Sequence, residues 1–219
     1  MYLREVHAKK ILDSRREPTI EVSVNGLKAS SPSGKSTGKY ETPSFHTSLK
    51  WNIEFLNKTT FDIEITSFND LKKMEKFIKQ KARLNDVKKF GANALFALES
   101  GTLKALAKEK KKELWEIINL NAEKFPVPVG NAIGGGLHSH NKNKPEFQEF
   151  LLIPQHTSFE ENYRVMKKIH AQLKKIVNSQ KENDEGAWET NLSSEEILEG
   201  ISQFKNIRVG IDVAASSFL

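Results

Sequence analysis

The 219-residue sequence contains no cysteine, which excludes disulfides and thiolate metal sites and is typical of a protein from a reducing compartment. It has no apolar run of about 18 residues, so no transmembrane helix and no membrane partner are expected. The first ten residues, MYLREVHAKK, lack the apolar core of a secretory signal peptide. Together these absences predict a soluble protein of the cytoplasm.

Charge, in contrast, is abundant: 34 Lys and Arg residues against 28 Asp and Glu give a net charge of +6. Such an excess is compatible with a nucleic-acid partner. The lysines, however, are spread through helical stretches such as LAKEKKKELW, and no basic patch interleaved with exposed aromatic residues is present. We therefore predict a lysine-rich solvated surface without nucleic acid, whose positive charge attracts anionic metabolites.

The first part of the chain combines strands with helices. Alternating apolar residues at 4–12, 19–24 and 27–31, with the Asn25-Gly26 hairpin signal, predict an antiparallel meander. Helical spacing follows at 69–83, where Asn69 is the expected cap, and again at 92–109 and 113–120. The sequence of residues 44–67 does not predict a particular secondary structure.

The segment FPVPVG (125–130) marks a boundary, because its two prolines break any helix, and we predict domains at 1–124 and 125–219. The second part reads as a buried strand at 146–153, an amphipathic helix at 159–178 and a strand at 207–212. Ser193 and Glu196 form a capping box for a helix that extends to Phe204. This order predicts the start of an α/β domain.

Several carboxylates are candidates for chemistry. Glu149 lies inside an apolar strand, where it either acts in catalysis or metal binding or occupies the surface side of an alternating strand. Asp212 ends the strand IRVGI, a place typical of a ligand or of a simple strand-end cap. Glu185, within Asp184-Glu185-Gly186, reads on its own as part of a solvated turn.

His138 and His140 are two residues apart and share a side of an extended segment, which leaves open a metal pair, a phosphate contact or surface exposure. Ser33, Ser36 and Thr37 lie among glycines, as in an anion-binding nest or a flexible loop. The loop is not a Walker motif, because the glycine that precedes the GKS by the required spacing is missing.

The combination and order of these segments are more specific than any one of them. ILDSRREPTIEVSV, SPSGKSTGKYE and GANALFALESGTLKALA resemble three successive enolase motifs. FPVPVGNAIGGGLHSHNKNKPEFQEFLLIP resembles the enolase pattern PVPxxNxxxGGxHxxxxxxxQEFMIxP, NDEGAWETNL resembles GDEGGxAPNL, and IRVGIDVAASSFL resembles xxxGxDxAASEFY. The six matches are collinear, so the chain resembles the N-terminal half of the enolase family.

The resemblance implies an α+β cap domain, built from an antiparallel meander and helices, followed by the first part of an enolase-type (β/α)8 barrel. It implies a lyase that interconverts 2-phosphoglycerate and phosphoenolpyruvate with Mg²⁺. By resemblance Glu185 is the general acid with Glu149 beside it. The other expected contacts are metal ligation by Asp212 and Ser36, and substrate binding by His138, Gln148 and Glu149.

Some positions depart from the family patterns. Lys35 replaces Ala in the loop that carries Ser36, and Ser217 replaces the Glu of AASEF. NDEGAWET lacks the first Gly and the Ala-Pro of its motif. His140 has the usual spacing to Gln148, whereas the Gly-Gly-X-His context favours His138, so the choice between the two histidines stays open.

Enolase chains are much longer than this sequence, and the base that removes the substrate proton and two further Mg²⁺ ligands would lie in the missing half. The expected partner is therefore a separate C-terminal enolase half, and the completed unit is expected to be oligomeric. The alternatives are a non-catalytic enolase-like binding protein, a truncated fragment and, more remotely, a basic nucleic-acid binder.

Overall fold

A computed structural model describes residues 1–31, 34 and 37–218 of the chain. Its contacts separate two compact units, Met1–Glu123 and Lys124–Leu219. Among the described residues, no helix has both the length and the apolar composition that crossing a membrane requires.

In the described part of the first unit, the strands and α-helices follow in chain order: β1 (Tyr2–Leu3), β2 (Val6–Leu12), β3 (Pro18–Val24), β4 (Leu27–Ser31), α1 (Leu49–Lys58), β5 (Ile63–Glu64), α2 (Leu71–Lys81), α3 (Ala92–Lys110) and α4 (Leu114–Ile118). β2, β3 and β4 form one antiparallel sheet, which confirms the predicted meander. Asn25 and Gly26 join β3 to β4 with φ of 46° and 82°, the left-handed conformations of a tight hairpin turn.

The core of this unit lies between the sheet and the helices. Ile20, Val22 and Val24 alternate along β3 and are fully buried, as expected for one face of a strand. α3 packs against β3 and β4, and α1 packs against β2. A side chain at Gly101 of α3 would lie 3.1 Å from a Val24 methyl group, so this glycine permits close packing of helix on sheet.

Two local features of the first unit differ from the sequence prediction. α1 occupies part of the unassigned segment 44–67, and it begins where the Ser48 side chain accepts a hydrogen bond from the amide of Trp51. Asn69 is not the cap of the next helix, so that prediction is wrong. Ser67 and Asp70 instead form a reciprocal capping box around a 3-10 turn that leads into α2.

The strands and α-helices of the second unit, as far as its residues are described, are β6 (Gly130–Gly134), β7 (Glu149–Pro154), α5 (Phe159–Ile176), β8 (Trp188–Glu189), α6 (Ser194–Ser202) and β9 (Ile207–Asp212). Its sheet has the order β8-β6-β7-β9, in which β6 and β8 are parallel and the other pairs are antiparallel. This mixed sheet with helices is consistent with the predicted partial barrel.

Helices α5 and α6 provide the apolar cover of this sheet. Phe150 and Leu152 of β7 are buried in one cluster with Ile169 of α5 and Ile197 of α6. The capping box at the start of α6 is confirmed, although the helix ends at Ser202 rather than Phe204. The predicted strand at 146–153 begins only at Glu149, and its alternating burial contrasts with the continuous burial expected.

The strand ends that carry polar residues meet at one end of the sheet. Gly134, the last residue of β6, is opposite Glu149 on β7 and Glu189 on β8. Glu149 is in turn opposite Asp212, the last residue of β9. Because β7 runs antiparallel to β6 and β9, its first residue lies beside their last residues.

Candidate active site

A row of strand ends forms the base of the candidate site. Glu149 and Asp212 are directly opposite each other on neighbouring antiparallel strands, so their side chains project from the same face. The amide of Gln148 donates to the carbonyl of Asp212 at 3.0 Å, and its side-chain Nε2 lies 3.5 Å from Asp212 Oδ2. The alternation of the strand thus directs Glu149 into the site rather than into the apolar core.

A glycine-rich turn brings His138 over this row. The amide of Gly135 donates to Gln148, the amide of Gly136 donates to Pro145, and Gly136 has φ of 45°. A Cβ at Gly135 would lie 2.3 Å from the carbonyl oxygen of Phe147, so no other residue fits there. The turn leaves the His138 side chain only 3% exposed.

A second loop, residues 183–187, carries Glu185. The side-chain oxygen of Asn183 accepts hydrogen bonds from the amides of Glu185 and Ala187, and Gly186 has φ of 78°. The Glu185 side chain accepts a hydrogen bond from Asn131 Nδ2 at 3.1 Å. Hydrogen bonds thus fix both the backbone amide and the carboxylate of Glu185, unlike those of a solvated turn residue.

His138 and two carboxylates form a compact cluster. His138 Nδ1 lies 3.0 Å from Glu185 Oε2 and 3.3 Å from Glu149 Oε1, and one ligating atom of each residue lies within 4.8 Å of the others. These are ion-pair distances rather than well-aligned hydrogen bonds, because neither ring nitrogen of His138 meets the directional requirement. Among the described residues, His138 Nε2 is buried and has no hydrogen-bond partner.

The environment of Glu149 alters its protonation. Burial, the largest cause, and the negative charges of Glu185 and Asp212 together raise the pKa of this carboxyl group to about 7. Glu149 therefore retains a proton close to neutral pH, when an ordinary glutamate is ionised. A protonated carboxyl group beside an imidazole and a second carboxyl group is suited to general acid–base chemistry.

The residues differ in their suitability for a metal ion. The His138–Glu149–Glu185 cluster offers a nitrogen donor, whereas Mg²⁺ prefers oxygen ligands. Asp212 suits Mg²⁺ better, because it is an exposed carboxylate at a strand end. Its Oδ1 accepts a hydrogen bond from the amide of Ala214, and its Oδ2 has a long contact with Gln148. One carboxylate leaves most of the coordination of Mg²⁺ to water, substrate and other ligands.

The structure brings together most of the residues that the sequence singled out. His138, Glu149 and Glu185 are in contact, and Gln148 and Asp212 are their neighbours. His140 is exposed, and among the described residues it has no place in the cluster. Ser36, the second predicted metal ligand, lies outside the described residues, as does Ser33.

Two asparagines of the site were not singled out from the sequence. Asn131 supports the Glu185 carboxylate, and Asn183 supports its loop. Asn131 stands at the Asn of the motif PVPxxNxxxGG, so a signal was present in the sequence. Asn183 carried no such signal, because it occupies a position where the motif has Gly.

Comparison with known proteins matches two family descriptions to the chain. "Enolase, N-terminal domain" matches residues 3–118, and "Enolase, C-terminal TIM barrel domain" matches residues 122–219. The chain is 31% identical to the enolases of Methanosphaera stadtmanae and Ehrlichia canis, and 29% identical to that of Methanothermobacter thermautotrophicus. Each match covers 99% of this chain but only 57–58% of the relative. The first family description spans more than half of the chain, which therefore belongs to the enolase family.

Proposed function

We propose that this chain supplies the N-terminal half of an enolase active site, which interconverts 2-phospho-D-glycerate with phosphoenolpyruvate and water. The observation that carries the proposal is the contact of His138 with both Glu149 and Glu185, at the sheet end that also holds Asp212. Four segments far apart in sequence converge there, and the sequence resemblance assigns a catalytic or binding task to each of them.

The two glutamates would act as the acid of the reaction. Hydroxide is a poor leaving group, so its departure from the substrate requires a proton donor. Glu185 is the proposed donor, and the raised pKa of Glu149 supplies a proton next to it at neutral pH.

Mg²⁺ is the proposed cofactor, held from this chain by Asp212 and by Ser36. When bound, the ion would stabilise the negative charge that develops on the substrate carboxylate. Gln148 lies beside Asp212 and would orient the polar end of the substrate, while His138 would contact the substrate.

The remaining machinery is proposed to come from a C-terminal barrel segment, in the form of a separate enolase half. This segment would supply the base that removes the substrate proton and the other Mg²⁺ ligands. Support comes from the coverage of the relatives, because the chain matches little more than half of each. We also propose that the completed unit forms oligomers and works in the cytoplasm, in line with membership of the enolase family.

The test is a comparison of the chain alone with the chain coexpressed with a C-terminal enolase segment of the same organism. We expect Mg²⁺-dependent formation of phosphoenolpyruvate from 2-phosphoglycerate only in the joint preparation. Turnover by the chain alone would contradict the proposed division of the active site. A stable but inactive joint complex would favour the non-catalytic alternative.

A further inference from the structure

Asn183 connects the loop of Glu185 to the turn of His138. Its side-chain Oδ1 accepts hydrogen bonds from the amides of Glu185 at 2.9 Å and Ala187 at 3.0 Å. Its Nδ2 donates to the backbone carbonyl of His138 at 3.1 Å. Asn183 is buried, with only 9% of its surface exposed, so water competes little for these three bonds.

We propose that Asn183 is a positioning residue, which fixes the spacing between the acid Glu185 and the substrate-binding His138. The enolase motif GDEGG has Gly at this position and offers no side chain for such a connection. This inference rests on the proposed function, because only an acid and a substrate contact need a fixed separation. It adds a task for a residue that neither touches substrate nor carries a reacting proton.

The neighbouring strand leaves room for this side chain. A Cβ at Gly134 of β6 would lie 2.5 Å from Asn183 Nδ2, closer than two such atoms can approach. The amide of Asn183 therefore fits only because residue 134 has no side chain. Gly134 is also opposite Glu149 in the sheet, so the Asn183 amide lies against the strand end on which the cluster is built.

Loss of Asn183 is expected to lower turnover because it changes the relative positions of Glu185 and His138. Without the bond to the His138 carbonyl, the two segments are connected through the β6–β8 pairing, the Asn131–Glu185 hydrogen bond and the Glu185–His138 contact, none of which reaches the backbone of His138. Displacing a reacting group by about 1 Å can lower turnover by about 10²-fold. Loss of a single tether between otherwise intact segments should have a smaller effect, on the order of tenfold.

Asn183→Ser separates the two tasks of the side chain. A serine hydroxyl can still accept from the loop amides, as in an ST turn, but it is too short to reach the His138 carbonyl. In the completed enzyme we expect Asn183→Ser to lower kcat by about tenfold, with KM within about twofold of the wild type. Asn183→Gly should lower kcat at least as much.

Asn162 offers a matched control. It is also a buried asparagine, and its side chain exchanges two hydrogen bonds with the backbone of His156, away from the cluster. Asn162→Ser should therefore lower the urea midpoint of unfolding while leaving kcat unchanged. If Asn183→Ser keeps the wild-type kcat, or if Asn162→Ser lowers kcat as much as Asn183→Ser for the same loss of stability, the positioning assignment is wrong.

A double-mutant cycle tests the same connection in the chain alone, without any activity. Gly134→Ala should lower the unfolding midpoint in the wild-type background, because the new methyl group displaces the Asn183 amide. In the Asn183→Gly background the same change should have less than half that effect. Equal effects in both backgrounds would overturn the inferred packing of Asn183 on Gly134. An inactive joint enzyme together with a coupled cycle would instead count against the proposed function.

Discussion

The carboxyl group of Glu185 is the most direct test of catalysis at the scale of one residue. Glu185→Gln retains an oxygen that can accept from Asn131, so the loop should keep its geometry, but the side chain no longer donates a proton efficiently. We expect turnover of the completed enzyme to fall by about 10²-fold or more, with KM changed little.

The control for this change is Glu182→Gln, which alters an exposed glutamate three positions earlier. It should leave turnover unchanged. Near-wild-type kcat in Glu185→Gln would show that another group, such as Glu149, delivers the proton.

Glu99 in the first unit should control part of the pH dependence of stability. Burial and the neighbouring carboxyl group of Glu75 raise the pKa of Glu99 from 4.5 to about 7. A raised carboxyl pKa means that the folded state binds the proton more tightly than the unfolded chain. The stability that this group contributes is therefore greatest at acid pH and decreases as the pH rises from 4.5 to about 7.

Glu99→Gln should remove this contribution, so the urea midpoint should change less between about pH 5 and pH 8 than in the wild type. Glu5→Gln, at an exposed position of the same unit, should leave the wild-type slope intact. An unchanged slope in Glu99→Gln would mean that Glu99 is ionised in the folded protein near neutral pH.

At the scale of the element, β8 carries a buried charge with one partner. The Glu189 side chain is 2% exposed, and among the described residues its only ionic partner is Lys181, whose Nζ lies 3.5 Å from Oε2. Lys181→Ala should lower the free energy of unfolding by about 1–3 kcal/mol, because it leaves the carboxylate buried without a partner.

Glu189→Ala should be close to neutral or stabilising, since it leaves only an exposed lysine and restores the Ala of the enolase motif GDEGGxAPNL. The double variant should match Glu189→Ala, because Lys181 has no buried charge left to compensate. Chemical denaturation of the four proteins measures these differences, and an equal loss in both single variants would show that the pair itself stabilises β8.

Elements with strong local signals were predictable from the sequence, and those that depend on distant pairing were not. The meander could be predicted because Asn25-Gly26 fixes its second turn and β3 alternates. β6, in contrast, is the glycine-rich segment GNAIG, which has almost no strand propensity and pairs because β7 lies beside it. α1 was missed because its aromatic residues, including the stacked Trp51 and Phe55, obscure an otherwise helical spacing.

In the candidate site, too, some residues could be predicted from the sequence and others could not. Its carboxylates and His138 could be found from motifs, because the chemistry requires those residue types. The supporting contacts of Asn183 could not be found, since a polar residue in a loop carries no mark of which distant backbone group it will bind. Which histidine is buried also depends on the turn at Gly136 rather than on spacing to Gln148.

At the scale of the whole molecule, the outer edge of β9 predicts where a C-terminal segment would bind, whereas β8 is already paired on its outer side with residues 181–182. β8 and β9 are the outer strands of the sheet of the second unit, and Ile211 and Val213 near the end of β9 are 39% and 42% exposed. Edge strands with free backbone groups and exposed apolar side chains are prone to pairing with another chain.

Hydrogen exchange should therefore show faster exchange of amides in β9 than in the central β7 for the chain alone. Addition of the C-terminal segment should slow exchange in β9 and leave the β2-β3-β4 sheet of the first unit unchanged. Equally strong protection of β7 and β9 in a monomer of the isolated chain would contradict this expectation and favour a self-sufficient fold.

The alignment of β7 with its neighbours has a consequence for refolding. A shift of one residue would turn Glu149 to the opposite face of the sheet, away from His138 and Asp212. The irregular pairing between Asn131 and Ile133 shows that β6 already contains one such displacement before it reaches Gly134. The His138–Glu149 contact therefore forms only in molecules whose strands have paired in the correct alignment. In a renatured sample, the fraction of molecules with this contact would measure correct strand alignment, whatever the amount of secondary structure that had returned.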